Sequence, residues 1–288
     1  MPASLSLHGL VVPMVTPFTG DGRIDKPAVE RLVAHLLQGG VHGIFALGTT
    51  GEAASIHPAE KRRLVELTVR AAAGHATVYA GIADNCFQES LETAKDYAQI
   101  GADVLVAHLP SYYPLSNEQI ESYFVRLADN LPLPLVLYNI PATTHQTIPL
   151  TAIDRLRRHA NIVALKESAG DPTRVVDLLR LTGGRDGFPI LIGSSPQFLL
   201  GLKRGGAGLV PSGANLAPEL YRALFDAAGE ERWDAVEELQ TQTDALCSRY
   251  LKCRTLGLGL ASLKVMLEER GLCGRTMLPP LASQNGVH

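Results

Sequence analysis

Short apolar runs recur along the chain, each followed by a polar stretch with helical spacing. The runs read LVVPMVT, GIFALG, TVYAGI, DVLVAH, PLVLYN, IVALKE, PILIGS and AGLVPS, beginning near Leu10, Gly43, Thr77, Asp103, Pro134, Ile162, Pro189 and Ala207. They are apolar nearly throughout rather than alternating, the pattern of strands buried on both faces in a parallel sheet covered by helices. Their repeat of roughly 30 residues is that of βα units. Between them, KPAVERLVAHLLQGG spaces its apolar residues as a helix does and ends in glycines, while HPAEKRRLVELTVRAAAG places Pro58 in a first turn and also stops at a glycine.

Eight βα repeats close best as an α/β fold of the (β/α)8 TIM-barrel type. A doubly wound open sheet is the alternative, but it usually carries fewer strands, and no GxGxxG or GxxxxGK[ST] loop favours it. The barrel is expected to span residues 1–228. After it, ERWDAVEELQTQTDALCSRYLK and LGLGLASLKVMLEERGL read as helices without intervening strands, a small C-terminal helical domain over residues 229–288.

The chain of 288 residues is long enough for a large buried core, and a formal net charge of -3 argues against nucleic acid or an anionic membrane surface as its main partner. The opening MPASLSLHGL has neither the basic flank nor the apolar core of a signal peptide, and no apolar run is long enough to span a bilayer. The four cysteines, Cys86, Cys247, Cys253 and Cys273, form no CxxC pair, and the nine histidines show no HExxH spacing. The expectation is a soluble cytoplasmic protein with reduced thiols and no bound metal.

In such barrels chemistry sits at the carboxyl ends of the strands. Lys166 ends the sixth run. Lysine is among the residue types least often buried, and its ordinary role there is to pack its stem while the ammonium reaches water. The alternative is a desolvated amine, since burial favours the neutral form that attacks carbonyls. Tyr138 ends the fifth run, either as a packed aromatic or as a phenol that moves protons beside Lys166. GTTGE, Gly48 to Glu52, follows the second run. It is either a plain glycine turn or a nest of N–H groups and hydroxyls suited to a carboxylate. In PSYYP, after the fourth run, Tyr113 reads first as a packing or interface residue. An amine, a phenol and a carboxylate cradle on one barrel face suit a 2-oxo acid.

VVPMVTPFTGDGRID, GTTGE, YNIP, LKES, GSS and GAN, together with the interval from Tyr138 to Lys166, mark a resemblance over almost the whole chain. The chain resembles the dihydrodipicolinate synthase / N-acetylneuraminate lyase superfamily of pyruvate-dependent class I aldolases. The resemblance implies that Lys166 forms a Schiff base with pyruvate or another 2-oxo acid. Tyr138 would then be general acid and base, Thr49 a hydroxyl relay, and Thr50, with Gly48, the carboxylate site. Tyr112 would be a second relay tyrosine reaching a neighbouring subunit's site, and Val210 would present a backbone carbonyl to the ketoacid. It further implies a homo-oligomer, a tetramer built as a dimer of dimers, and no metal or organic cofactor, since the lysine is the electron sink.

Two departures bear on the substrate. Where the synthases carry an arginine for the aldehyde's carboxylate, this chain has Thr143, and the family's following glycine is His145. Where the sialic-acid lyases carry acidic residues, it has Ser194, Ser195 and Pro196. A threonine supplies no cationic fork. The expected function is therefore a Schiff-base lyase or aldolase acting on pyruvate or a 2-keto-3-deoxy sugar acid, with Thr143, His145, Ser194 and Ser195 bonding hydroxyls. The alternatives are a synthase condensing pyruvate with aspartate semialdehyde, and a non-catalytic ketoacid-binding protein.

Overall fold

The structure, a computed structural model, describes residues 7–252 and 254–283. The eight expected strands are all present: β1 (Gly9–Pro13), β2 (Gly43–Ala46), β3 (Thr77–Gly81), β4 (Val104–His108), β5 (Leu135–Asn139), β6 (Ile162–Glu167), β7 (Ile190–Ile192) and β8 (Gly208–Leu209). They close into a barrel in sequence order. The pairings are parallel, with Val11 opposite Gly43, Tyr79 opposite Val104 and Leu191 opposite Gly208 among the register partners. The Gly9 N–H donates to the Ala207 carbonyl at 2.9 Å, and a side chain at Gly208 would stand 2.2 Å from the Gly9 oxygen. That close approach requires a glycine. β1, β2 and β5 are buried at every position, which is why their sequences are apolar throughout instead of alternating.

The helices are α1 (Lys26–Gln38), α2 (Pro58–Ala72), α3 (Phe87–Ile100), α4 (Asn117–Asn130), α5 (Pro141–Thr144), α6 (Leu150–Leu156), α7 (Pro172–Thr182), α8 (Phe198–Lys203), α9 (Pro218–Gly229), α10 (Trp233–Leu251) and α11 (Leu256–Glu268). α1 begins where Asp25 accepts from the Ala28 N–H, and it buries Ala28, Val29, Leu32, Val33 and Leu36, one face at helical spacing. α4 opens on a reciprocal cap between Ser116 and Gln119. The stop of α2 differs from expectation. Ala73, not glycine, takes the left-handed cap with φ 47°, its N–H returning to Val69, and Gly74 follows with φ 76°. This 5→1 hydrogen bond of the αL capping motif holds a non-glycine in that conformation.

By contacts the chain forms two compact units. One runs from Tyr79 to Val210 and includes residues 7–9; the other combines residues 10–78 with the described residues of 211–283. The first contains β4 to β8. In it, β4, β5 and β6 pair so that His108, Tyr138 and Lys166 stand at one level. The second contains α1, α2 and the C-terminal helices α9 to α11. Among the described residues no helix is long and apolar enough to cross a membrane.

Candidate active site

Lys166 lies one residue from the end of β6, with 5% of its surface exposed, and Tyr138 lies one residue from the end of β5, with 4%. Their Cα atoms are register partners. The lysine ammonium sits 3.9 Å from the centre of the Tyr138 ring, a cation–π contact that gives the buried charge a partner. The residues that follow each of them face the other side of the sheet, as strand alternation requires, and form a buried polar network. Asn139 Nδ2 donates to both Glu167 oxygens at 2.9 and 3.0 Å. Glu167 also accepts from the Ala169 N–H at 2.7 Å and from Arg174 Nε at 2.8 Å. Asn139 Oδ1 accepts from the Ile148 N–H, and Arg174 Nη2 donates to the Ile148 carbonyl. This network ties the ends of β5 and β6 and so fixes the level of Tyr138 against Lys166. Asn139, Glu167 and Arg174 were not singled out from sequence. The available signal was a buried Asn and Glu directly after an apolar strand, which need partners.

Ser168 and Gly193 complete the surroundings of the lysine. A side chain at Gly193 would stand 2.1 Å from Ser168 Oγ and 3.1 Å from Lys166 Cε, so the glycine keeps open the space beside the amine. Ser194 Oγ comes within 3.4 Å of where a Gly170 side chain would begin, and the Ser194 carbonyl accepts from the Gln197 N–H as Ser195–Gln197 turn into α8. Val210 is buried after β8, its N–H bonded to the Ile192 carbonyl at 2.8 Å.

His108, at the end of β4, was not among the sequence-derived candidates. Its ring stands edge-on to Tyr138, with centroids 6.1 Å apart and planes at 69°. Burial holds its pKa below the ordinary histidine value, and the positive charge of Lys166 acts in the same direction, against the Leu109 carbonyl that favours the protonated ring.

In the other unit, the turn after β2 is stabilised by its own backbone. The N–H groups of Gly51 and Ala53 bond to the Gly48 carbonyl, and that of Glu52 bonds to Thr49. Those three donors are engaged within the turn. Neither Gly48 nor Gly51 has positive φ; instead Leu47 and Glu52 do, at 61° and 57°. A side chain on Gly48 would press within 2.8 Å of the Phe45 ring, and one on Gly51 within 2.9 Å of the Met14 carbonyl. The glycines allow close approach. Glu52 is held by a buried ion pair with Lys264 of α11 and accepts from the Leu278 N–H at 3.1 Å. Lys264 also donates to the Thr276 carbonyl at 2.8 Å and lies 4.3 Å over Phe18. Thr49 and Thr50 thus stand on a turn fastened to the C-terminal helices.

Thr143 lies in α5, its hydroxyl turned toward the Ile140 carbonyl at 3.4 Å. His145 caps α5 with φ 57°, a left-handed conformation that glycine adopts most readily. Tyr112 is 75% exposed, its ring against Tyr113 at 4.9 Å and its N–H bonded to Asn85 Oδ1. Cys86, Cys247 and Cys273 are free thiols, and Cys253 lies outside the described residues. Among the described residues no cluster of three or more His, Cys, Asp or Glu side chains could hold a metal ion.

Residues 6–286 match the dihydrodipicolinate synthetase family. The chain is 32% identical to an uncharacterized DapA-like lyase of Thermococcus kodakarensis, over 97% of this chain and 95% of that one. It is 30% identical to a 4-hydroxy-tetrahydrodipicolinate synthase of Xanthomonas axonopodis pv. citri, over 99% and 92%. The dihydrodipicolinate synthase structure from Bacteroides thetaiotaomicron superposes with a TM-score of 0.92 at 29% identity, covering 98% of this chain and 95% of that one. The class is thus a (β/α)8-barrel lyase with C-terminal helices. The chain belongs to the dihydrodipicolinate synthetase family.

Proposed function

We propose that the protein makes or breaks a carbon–carbon bond, or dehydrates, through a Schiff base between Lys166 and a 2-oxo acid. The observation that carries this reading is the buried lysine at a strand end with its ammonium 3.9 Å from the Tyr138 ring. Loss of a water molecule from the carbinolamine leaves an iminium carbon that withdraws electrons from the neighbouring C3. Tyr138 supplies and removes the protons of these steps, with the Thr49 hydroxyl as relay. Thr50 and Gly48 take the carboxylate, and Val210 contributes its backbone carbonyl. Because the lysine is itself the electron sink, the reading includes no organic cofactor or metal. It also includes a cytoplasmic tetramer, built as a dimer of dimers, in which Tyr112 serves a neighbouring site, with residues 229–288 as an appended helical domain. Trapping with pyruvate and borohydride tests the reading: a reduced pyruvyl group is expected on the Lys166 peptide and absent from Lys166→Ala. Labelling elsewhere, or none with pyruvate or a panel of ketoacids, would sink it.

For the substrate we favour a 2-keto-3-deoxy sugar acid, with Thr143, His145, Ser194 and Ser195 offering neutral hydrogen bonds. A second reading, supported by the names of the relatives, is condensation of pyruvate with aspartate semialdehyde. An arginine-type contact to a carboxylate contributes about 1.5–3 kcal/mol, and Thr143 lacks it. The kcat/KM for pyruvate with aspartate semialdehyde against glyceraldehyde decides between them; preference for the former promotes the synthase.

A further inference from the structure

The strand register that sets Tyr138 beside Lys166 adds a third side chain to the row. His108 pairs with Tyr138 across β4 and β5, and Tyr138 with Lys166 across β5 and β6. In a parallel sheet, register partners project to the same face, and the ring and cation–π contacts show that these three do. A histidine that ends an apolar strand is ordinarily a packed ring with one nitrogen bonded to backbone. Here that bond identifies the tautomer. His108 Nδ1 lies 2.8 Å from the Leu109 carbonyl, and a carbonyl only accepts, so Nδ1 carries the proton. Nε2 therefore carries the lone pair, and burial and the Lys166 charge both disfavour a second proton there. The ring is only partly buried, and among the described residues no hydrogen bond reaches Nε2. Thr143 and Ser194 offer hydroxyls that can donate or accept, whereas Nε2 of this tautomer can only accept.

The geometry points to His108 as a specificity-determining residue whose Nε2 accepts a hydrogen bond from a hydroxyl on the carbon chain held by Lys166. This inference rests on the Schiff-base reading and deepens it: the site would select hydroxylated 2-oxo acids over ketoacids with a plain hydrocarbon chain. Such a chain brings no donor and leaves the lone pair without the partner it had in water.

The test uses borohydride trapping at Lys166 of the intact protein, which is independent of reaction direction. Half-saturating concentrations are measured for a 2-keto-3-deoxyhexonate and for 2-oxohexanoate, of equal carbon count, in wild type, His108→Leu and His108→Gln. Each ratio is taken within one protein, so a general loss of fold or of lysine reactivity cancels. Wild type should favour the hydroxylated acid. His108→Leu should lose about 3- to 10-fold of that preference, the range for one neutral hydrogen bond. His108→Gln, whose amide oxygen accepts near the Nε2 position, should retain most of it. Adducts that form with the same ratio in wild type and His108→Leu would overturn the inference and leave the Schiff-base reading intact. Equal losses in His108→Leu and His108→Gln would overturn it too, by assigning the effect to ring packing against Tyr138. Absence of any Lys166 adduct with either acid or with pyruvate would overturn the reading and the inference together.

Discussion

Replacing Lys264 by methionine isolates the contribution of the C-terminal helices to the turn that carries Thr49 and Thr50. Lys264 and Glu52 form an ion pair with side-chain exposures of 1% and 0%. Burial pushes the lysine pKa down, and Glu52 is the main group pulling it back up. Methionine keeps the length and most of the volume but removes the ammonium, the hydrogen bond to Thr276 and the contact with Phe18. It leaves Glu52 with the single Leu278 N–H as its described hydrogen-bond donor. Removing one member of a buried pair costs about 3–5 kcal/mol, because the other charge stays behind uncompensated. At roughly 2–4 °C per kcal/mol for a large domain, the midpoint of thermal unfolding should fall by about 6–20 °C. Glu52→Gln in the same chain removes the stranded charge and should recover about half or more of the loss, so the two substitutions should be strongly non-additive. Because Glu52 closes the GTTGE turn, the KM for the 2-oxo acid should rise in Lys264→Met and recover in the double variant. A loss under 1 kcal/mol, or a double variant as unstable as the sum of the singles, would refute the reasoning.

Three further outcomes are expected. Tyr138→Phe removes one hydroxyl and should lower kcat by roughly 100- to 10,000-fold with little change in stability; a rate within about 3-fold of wild type would exclude its role, since that corresponds to only ~0.6 kcal/mol. Mixing inactive Tyr112→Phe and Lys166→Ala proteins should restore activity after subunit exchange, because a two-fold pair would contain one site with both defects and one with neither; a mixture still inactive after proven exchange would assign Tyr112 to its own subunit or to nothing. His35, His42 and His108 all have pKa values lowered chiefly by burial. The unfolded chain therefore takes up protons near the ordinary histidine value of ~6.5 before the folded chain does, and stability should fall as pH drops through and below that point. Denaturant midpoints at pH 7.5 and pH 5.5 measure this, and a higher midpoint at pH 5.5 would contradict it.

The placement of Lys166 and Tyr138 was legible because each interrupts an otherwise apolar run at its carboxyl end, and a barrel sends chemistry to that end. His108 ends DVLVAH in the same way. Its significance emerges from lateral pairing with Tyr138, which no local pattern encodes. The GTTGE turn was legible as a turn, but the reason for its glycines was not. A sequence shows that small residues occur together, whereas the Phe45 ring and the Met14 carbonyl that exclude a side chain arrive from elsewhere in the fold.

By itself the sequence determined the eight strands, their order and their parallel sense, because burial on both faces writes a continuous apolar run and βα repetition writes its period. Strand register, the buried Asn139–Glu167–Arg174 network and the Glu52–Lys264 pair were decided only in tertiary structure. Most of these contacts join residues far apart along the chain; Glu52 and Leu278, which share a hydrogen bond, are 226 positions apart. Periodicity reports which face of an element is buried. Which polar groups meet there depends on barrel closure, which brings distant strand ends to a common level and makes each buried polar group find its partner.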